Sequence, residues 1–157
     1  MFKLRPAAAA FLAAAALAAG MAFGANLQIH QSTKADLSTA MHGEAFAYAK
    51  YMLYAKQARE EGNVPLATLF EHTANIELNN HFRTHAYEYG LTGTDQQNLR
   101  DAIAGENYET TTMYPQMAQR ARATGDTKVA SVFAAVAKDE RMHRDRFKDA
   151  LNQLATR

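Results

Sequence analysis

No cysteine occurs among the 157 residues of the chain, and this absence excludes several classes of protein. Without thiols the chain forms no disulfide bonds, performs no thiol catalysis and binds no metal through sulfur. The charges are nearly balanced as well, with 17 Lys and Arg residues against 16 Asp and Glu residues. No basic segment therefore indicates a nucleic-acid partner. The stability of the fold has to come from packing or from a metal centre with oxygen and nitrogen ligands.

Glycine and proline are also scarce, with 8 and 3 copies, and after residue 24 most of them fall at 60–65, 89–95 and 123–126. The segments between these places are rich in good helix formers such as Ala, Leu, Glu, Lys and Arg. We expect four long helices, near 34–61, 65–89, 96–123 and 127–155. Because the connections are short, neighbouring helices should be antiparallel, which predicts an all-α four-helix bundle.

The first 24 residues differ in composition from the rest of the chain. Lys3 and Arg5 precede a run of Ala, Leu and Phe that ends in small residues, which is typical of a secretory signal peptide. Cleavage is expected after Gly24, with Ala25 the next choice, so the protein would be periplasmic or secreted. The alternative is an uncleaved membrane anchor, because the apolar run approaches the roughly 17–25 residues that a span needs. We expect residues 25–33 to form a flexible lead-in to a bundle of residues 34–157.

The chain after the signal peptide repeats itself. Gly43-Glu44 recurs as Gly105-Glu106, 62 positions later, and the later matches are 63 positions apart: Ala58 with Ala121, Gly62 with Gly125, Phe70 with Phe133, and Glu77 with Glu140. Two related helical hairpins therefore make the bundle. The change of offset means that one extra residue has entered the second copy between Glu106 and Ala121. Pro115 lies there and lacks a backbone donor, so we predict a π-bulge or kink in 110–118.

Four glutamates lie on the apolar faces of these helices, aligned by the duplication: Glu44, Glu77, Glu106 and Glu140. Apolar residues surround each of them at helical spacing. In the two copies the first acid precedes the hairpin glycine by 18 and 19 residues, and the second acid follows it by 15. At roughly 1.5 Å per residue, all four would lie in one layer of the bundle.

A single glutamate in a helix is usually a solvated residue, but four aligned on apolar stripes do not fit that interpretation. Burying carboxylates without partners costs several kcal/mol each. Bound cations would offset this cost. Glu109 lies one turn after Glu106, and Glu140-x-x-His143 places an oxygen and a nitrogen ligand on one helix face. This donor set favours iron or manganese.

Four stretches of the sequence resemble the rubrerythrin family of ferritin-like diiron proteins: AGENYETTTMYP, HGEAFAYAKYMLYAKQAREEGN, LFEHTANIE and DERMH. The resemblance covers residues 34–155 and implies a ferritin-like bundle with two iron ions, although manganese or zinc could take their place. It assigns the ligands to Glu44, Glu77, Glu106, Glu109, Glu140 and His143. It also implies that Glu77 and Glu140 bridge the metals, and that Tyr51 and Tyr114 hydrogen-bond ligands or intermediates. Plain core packing is the alternative role for both tyrosines.

The sequence departs from the family pattern in three ways. The family carries Glu-x-x-His in the first hairpin too, and here that position is Asn80; His81 lies one residue on, about 100° around an α-helix. Whether His81 replaces the missing ligand is left open. A rubredoxin domain, often present in the family, does not follow in this sequence, so an external electron donor is expected. Finally, most of the family is cytoplasmic, whereas this chain has an export signal.

The resemblance implies an enzyme that reduces hydrogen peroxide with electrons from a rubredoxin-like or other redox protein, and it suggests a homodimer. A ferroxidase or iron-handling role, with oxygen or peroxide as the oxidant, is one alternative. A redox-inactive structural bundle, metal-free or zinc-bound, is another. The remaining histidines, His30, His42, His72 and His85, have weaker claims as ligands, and the membrane is a partner only if the signal segment stays uncleaved.

Overall fold

The computed structural model describes residues 29–156, and all of the regular structure in this range is helical. The predicted signal peptide lies outside the described residues. Between 29 and 156 none of the helices combines the length and the hydropathy that a bilayer span requires.

Six α-helices and two π-helical segments make up this part of the chain. They are α1 (Gln31–Glu60), α2 (Val64–Ile76), π1 (Glu77–Phe82), α3 (Arg83–Tyr89), α4 (Asp95–Tyr108), π2 (Glu109–Met113), α5 (Tyr114–Ala123) and α6 (Thr127–Ala155). Each π segment joins the α-helices on either side of it into one continuous helix, α2–π1–α3 and α4–π2–α5. With α1 and α6, these are the four long helices that the sequence predicts. Helix α1 begins at Gln31, so residues 31–33 belong to the helix and not to the predicted lead-in.

The tight turns between paired helices depend on glycine. Gly62 and Gly125 follow α1 and α5 with φ angles of 78° and 87°, a left-handed conformation that residues with a Cβ rarely adopt. Asn63 then begins α2 by accepting a hydrogen bond from Leu66 N through Oδ1, at 3.3 Å. Because Gly62 and Gly125 are equivalent in the repeat, both hairpins reverse direction by the same device.

Each hairpin is held together by small residues. Helix α1 packs against α2, π1 and α3, and α6 packs against α4, π2 and α5. The buried apolar residues are Met41, Ala55, Ala58, Ala67, Ala74, Ala118, Ala121 and Ala130. Alanine at these contacts lets the two helices of a hairpin approach closely. No large side chain in the described range is fully buried.

The two hairpins, residues 31–89 and 95–155, lie apart in a single copy of the chain. Every contact between helical elements in the described range falls within one hairpin, and none connects the first hairpin to the second. The all-α class and the two antiparallel hairpins of the four-helix bundle are confirmed. The faces that would meet in the centre of the bundle are not covered within one chain.

The irregularity that the repeat offset predicts at 110–118 is confirmed by π2, which spans Glu109–Met113. A turn of π-helix holds about one residue more than a turn of α-helix. It therefore accommodates the extra residue that the second copy of the repeat has between Glu106 and Ala121. Thr110 is buried in this segment, and its Oγ1 donates a hydrogen bond of 2.6 Å to the carbonyl oxygen of Ala137 on α6. This bond ties the bulge to the opposite helix.

Candidate metal centre

The second hairpin brings three predicted ligands together. Glu106 on α4 and the pair Glu140 and His143 on α6 place one ligand atom each within 4.8 Å of one another. His143 Nδ1 lies 2.8 Å from Glu140 Oε2 and 3.9 Å from Glu106 Oε2. The spacing of three residues between Glu140 and His143 puts both side chains on the same face of α6. We refer to these three residues as the second cluster.

The electrostatics of Glu106 indicate that this cluster is built for a cation. Its Oε2 is buried and has no hydrogen-bond partner within the described part of the chain. Burial raises the pKa of Glu106, and the neighbouring Glu140 raises it further, while His143 acts in the opposite direction. Two adjacent carboxylates with an orphaned oxygen are costly in a metal-free protein. A divalent cation would satisfy that oxygen and neutralise the repulsion, so the residues present fit a metal ion.

The first hairpin contains a matching group, which we call the first cluster: Glu44, Glu77 and His81, again with ligand atoms within 4.8 Å. His81 Nδ1 lies 2.7 Å from Glu77 Oε2 and 4.0 Å from Glu44 Oε2. Glu77 is only 15% exposed, the same as Glu140 in the second cluster. Both hairpins therefore present two carboxylates and an imidazole.

The π-helical segment explains how His81 reaches Glu77. Segment π1 starts at Glu77 and contains both residues. Its turn is wider than that of an α-helix, so a side chain four residues on lies almost in line with the first. The expected 100° offset of His81 is wrong for this reason. Asn80, which occupies the family's usual histidine position, is exposed.

A signal for His81 was present in the sequence. Glu77 and Glu140 are 63 positions apart, but His81 and His143 are only 62 apart. The first copy therefore has one extra residue between its acid and its histidine. A change of offset of this kind predicted π2, and applied here it would have predicted π1 and the histidine as well.

His85 is a further residue near the first cluster. Its Nε2 lies 3.9 Å from Glu44 Oε1, whereas His81 lies near the other oxygen of that carboxylate, Oε2. The other three histidines lie elsewhere: His30, His42 and His72 are exposed. The Nδ1 of His42 is 2.7 Å from the carbonyl oxygen of Ser38 on its own helix.

The two tyrosines and Glu109 flank the clusters. The Tyr51 ring stacks on Phe70 with centroids 6.1 Å apart, and the Tyr114 ring packs against Phe133 at 6.2 Å, so the repeat duplicates this aromatic pair. Burial raises the pKa of Tyr114, and the nearby carboxylates, Glu109 foremost, raise it further. Glu109 is not one of the three residues of the second cluster. Tyr114 is thus half-buried and lies near these acids.

The six residues of the two clusters are divided between the hairpins. The prediction that the duplication brings all four acids into one layer does not hold within a single chain, because the hairpins lie apart. What one chain contains is two half-centres, each with three ligand groups.

The pattern of acids and histidines corresponds to a known family. The family described as rubrerythrin matches residues 36–151. The chain belongs to the rubrerythrin family. A rubrerythrin of Porphyromonas gingivalis is 34% identical over 127 residues, covering 73% of this chain and 64% of that protein. A nigerythrin of Nitratidesulfovibrio vulgaris is 35% identical over 141 residues, covering 78% of this chain and 67% of that protein.

This rubrerythrin spans about two thirds of the length of these relatives. Solved structures of nigerythrin are also similar to it. One in a partially reduced state has 32% identity and a TM-score of 0.42, covering 83% of this chain and 71% of that one. Another, described as fully reduced and all ferrous, has 30% identity and a TM-score of 0.40, covering 86% and 73%. Family membership and the two carboxylate–histidine clusters together identify a metal-binding rubrerythrin.

Proposed function

We propose that this rubrerythrin is an exported non-haem diiron oxidoreductase that reduces hydrogen peroxide to water. The observation that carries the proposal is the pair of carboxylate–histidine clusters, one of which has a buried oxygen without a partner. Carboxylates with imidazoles favour iron or manganese over softer metals. The metals would be held by Glu44, Glu77, Glu106, Glu109, Glu140 and His143, together with His81.

The reaction consumes two electrons and two protons for each peroxide, with cleavage of the O–O bond and release of two water molecules. Two ferrous ions in the centre would supply one electron each. Because this chain has no cysteine, it contains no thiolate-bound iron of its own to pass electrons on. We therefore propose an external redox protein as the electron donor.

Tyr114 has a role in this proposal because its hydroxyl keeps its proton. Burial and the charges of Glu109, Glu140 and Glu106 all raise the pKa of the phenol. A protonated phenol beside the carboxylates could donate a hydrogen bond to a peroxide molecule that enters the site. Tyr51, its counterpart in the repeat, would serve the first cluster. Tyr114→Phe should therefore slow peroxide turnover while leaving metal content unchanged.

The proposed location is the periplasm or the cell exterior. It is supported by the basic start, apolar run and small residues of positions 1–24. Recovery of the protein from the periplasmic fraction with a mass that begins at residue 25 would support the proposal. Recovery of the intact chain in the membrane fraction would replace it with the anchored alternative.

Peroxide consumption by the iron-loaded protein tests the reaction. We expect turnover only when a reductant is supplied, and expect it to disappear in Glu140→Ala. The matched control is Asp149→Ala, which removes an exposed acid from the same helix. Retention of ferric mineral with oxygen as the oxidant, without reductant-dependent peroxide turnover, would instead establish the ferroxidase alternative.

A further inference from the structure

We propose that His85 is a second imidazole ligand of the first cluster, so that the first hairpin binds its cation through two carboxylates and two imidazoles. The ligand set that the family resemblance implies leaves His85 out, and the three residues of the first cluster do not include it. The inference deepens the proposed function, because it rests on the metal site proposed there. It does not depend on the reaction.

The separation between His85 and Glu44 is typical of two ligands on one ion. His85 Nε2 lies 3.9 Å from Glu44 Oε1, which is too far for a hydrogen bond. Ligand atoms bound at about 2.1 Å to one octahedral ion lie about 3.0 Å apart when adjacent and about 4.2 Å apart when opposite. In the second cluster, His143 Nδ1 and Glu106 Oε2 are separated by the same 3.9 Å. His85 is therefore placed relative to Glu44 as His143 is relative to Glu106.

The spacing of two histidines puts His85 on the ligand face of its helix. His85 follows His81 by four residues, and histidines four residues apart on one helix bind a single zinc ion in metalloproteases of the H-E-x-x-H type. The two imidazoles approach different oxygens of one carboxylate, since His81 Nδ1 lies 4.0 Å from Glu44 Oε2. The His85 side chain is 32% exposed, against 53% for His81. Joining the cluster requires a rotation of this side chain, which a bound cation would favour.

The repeat shows that a histidine at this place is specific to the first hairpin. His81 and His143 are 62 positions apart, and the same offset pairs His85 with Phe147. A phenylalanine has no ligand atom. The second hairpin therefore has no counterpart of His85.

Glu109 is the reverse case, a ligand group that only the second hairpin has. At an offset of 62 it pairs with Ala47, and at an offset of 63 it pairs with Phe46, neither of which has a ligand atom. Each hairpin thus adds one group that the other lacks, an imidazole in the first and a carboxylate in the second.

This difference gives the two clusters unequal metal preferences. Imidazole suits zinc, copper, iron and nickel, whereas carboxylates suit magnesium and manganese. With His85 bound, the first cluster has two imidazoles and should favour zinc over manganese. The second cluster, with one imidazole, should distinguish these two cations less.

Competition with a chelator measures the affinity of the mature chain for zinc and for manganese. His85→Gln should weaken zinc binding at one site by at least about tenfold, since even residues that only support ligands cost about 10–100-fold when removed. Manganese binding should weaken less. The matched control is His72→Gln, which replaces an exposed histidine on α2 and should leave both affinities unchanged.

Nuclear magnetic resonance then separates a ligand from a residue that only supports one. In the mature parent chain, with isotopically labelled histidine and a spin-active isotope of cadmium, scalar coupling between a ring nitrogen and the cation requires a bond between these two atoms. We expect coupling to His81, His85 and His143, and none to His72. Because this result comes from the parent, it does not depend on how well His85→Gln folds.

Cadmium-loaded protein in which His81 and His143 are coupled and His85 is not would overturn the proposal. An unchanged zinc affinity in His85→Gln would overturn it as well. Coupling to His85 without any peroxide turnover would leave the inference intact and remove only the proposed reaction. A chain that binds none of the three cations would overturn both.

Discussion

Replacing Glu106 by glutamine should stabilise the metal-free protein and reduce the stability that the protein gains from metal. In the metal-free protein the buried Oε2 of Glu106 lacks a partner, and the adjacent Glu140 raises its pKa in addition to burial. Glu106→Gln removes this charge and introduces an amide that can donate to Glu140. Leaving a buried polar atom unsatisfied costs about 1–3 kcal/mol, so the variant should be more stable by a similar amount. For a chain of this size that corresponds to a rise in Tm of roughly 3–10 °C.

With metal present the advantage of the variant should shrink or disappear. A cation at a hundred times its Kd stabilises the folded parent by about 2.7 kcal/mol. Loss of a carboxylate ligand should weaken binding at least about tenfold, since even residues that only support ligands cost about 10–100-fold when removed. At the same cation concentration the stabilisation falls to about 1.4 kcal/mol, so the metal-induced shift of Tm in Glu106→Gln should be about half that of the parent or less.

Thermal unfolding followed by circular dichroism, at one protein concentration and with chelator or ferrous ion, measures both effects. Glu88→Gln removes an exposed acid from α3 and serves as the control, with changes within about 0.5 kcal/mol in either condition. If Glu106→Gln melts below the parent without metal and responds to metal as the parent does, Glu106 is not part of a cation site.

Three further predictions follow from named contacts. His81→Ala should remove most of the metal-induced rise in Tm, whereas Asn80→Ala should leave it unchanged; equal effects in a metal titration would contradict the role of π1. Thr110→Val should lower the free energy of unfolding by about 1–2 kcal/mol, because the carbonyl oxygen of Ala137 loses its buried donor. Urea denaturation measures this loss. The control is Thr111→Val at an exposed position, which should cost about 0.5 kcal/mol or less. Mass spectrometry of the exported protein should show a chain that begins at residue 25, and an unprocessed N-terminus would contradict cleavage.

The helices could be predicted from sequence because their limits depend on local chemistry. Gly62 and Gly125 mark the two hairpin turns, and both adopt the left-handed conformation that only glycine enters readily. The displaced register of the repeat predicted π2, because an inserted residue in a continuous helix has to be absorbed by a wider turn.

The position of His81 was not predicted, because the 100° rule assumes an unbroken α-helix. Segment π1 breaks that assumption. The signal for it was the change of offset in the repeat, from 63 positions between Glu77 and Glu140 to 62 positions between His81 and His143. The separation of the hairpins was not predicted either. Periodicity identifies the apolar face of a helix, but it does not specify whether the covering face belongs to the same chain.

Metal stoichiometry is the most direct test of the account. The mature protein, loaded anaerobically with ferrous ion and then freed of excess metal, should retain about two irons per bundle, the number that two three-ligand clusters hold. It should also show a near-ultraviolet absorption band that bleaches on reduction and returns with peroxide. One iron or none per bundle in the parent, or two zinc ions without a redox response, would contradict the assignment of this rubrerythrin as a diiron oxidoreductase.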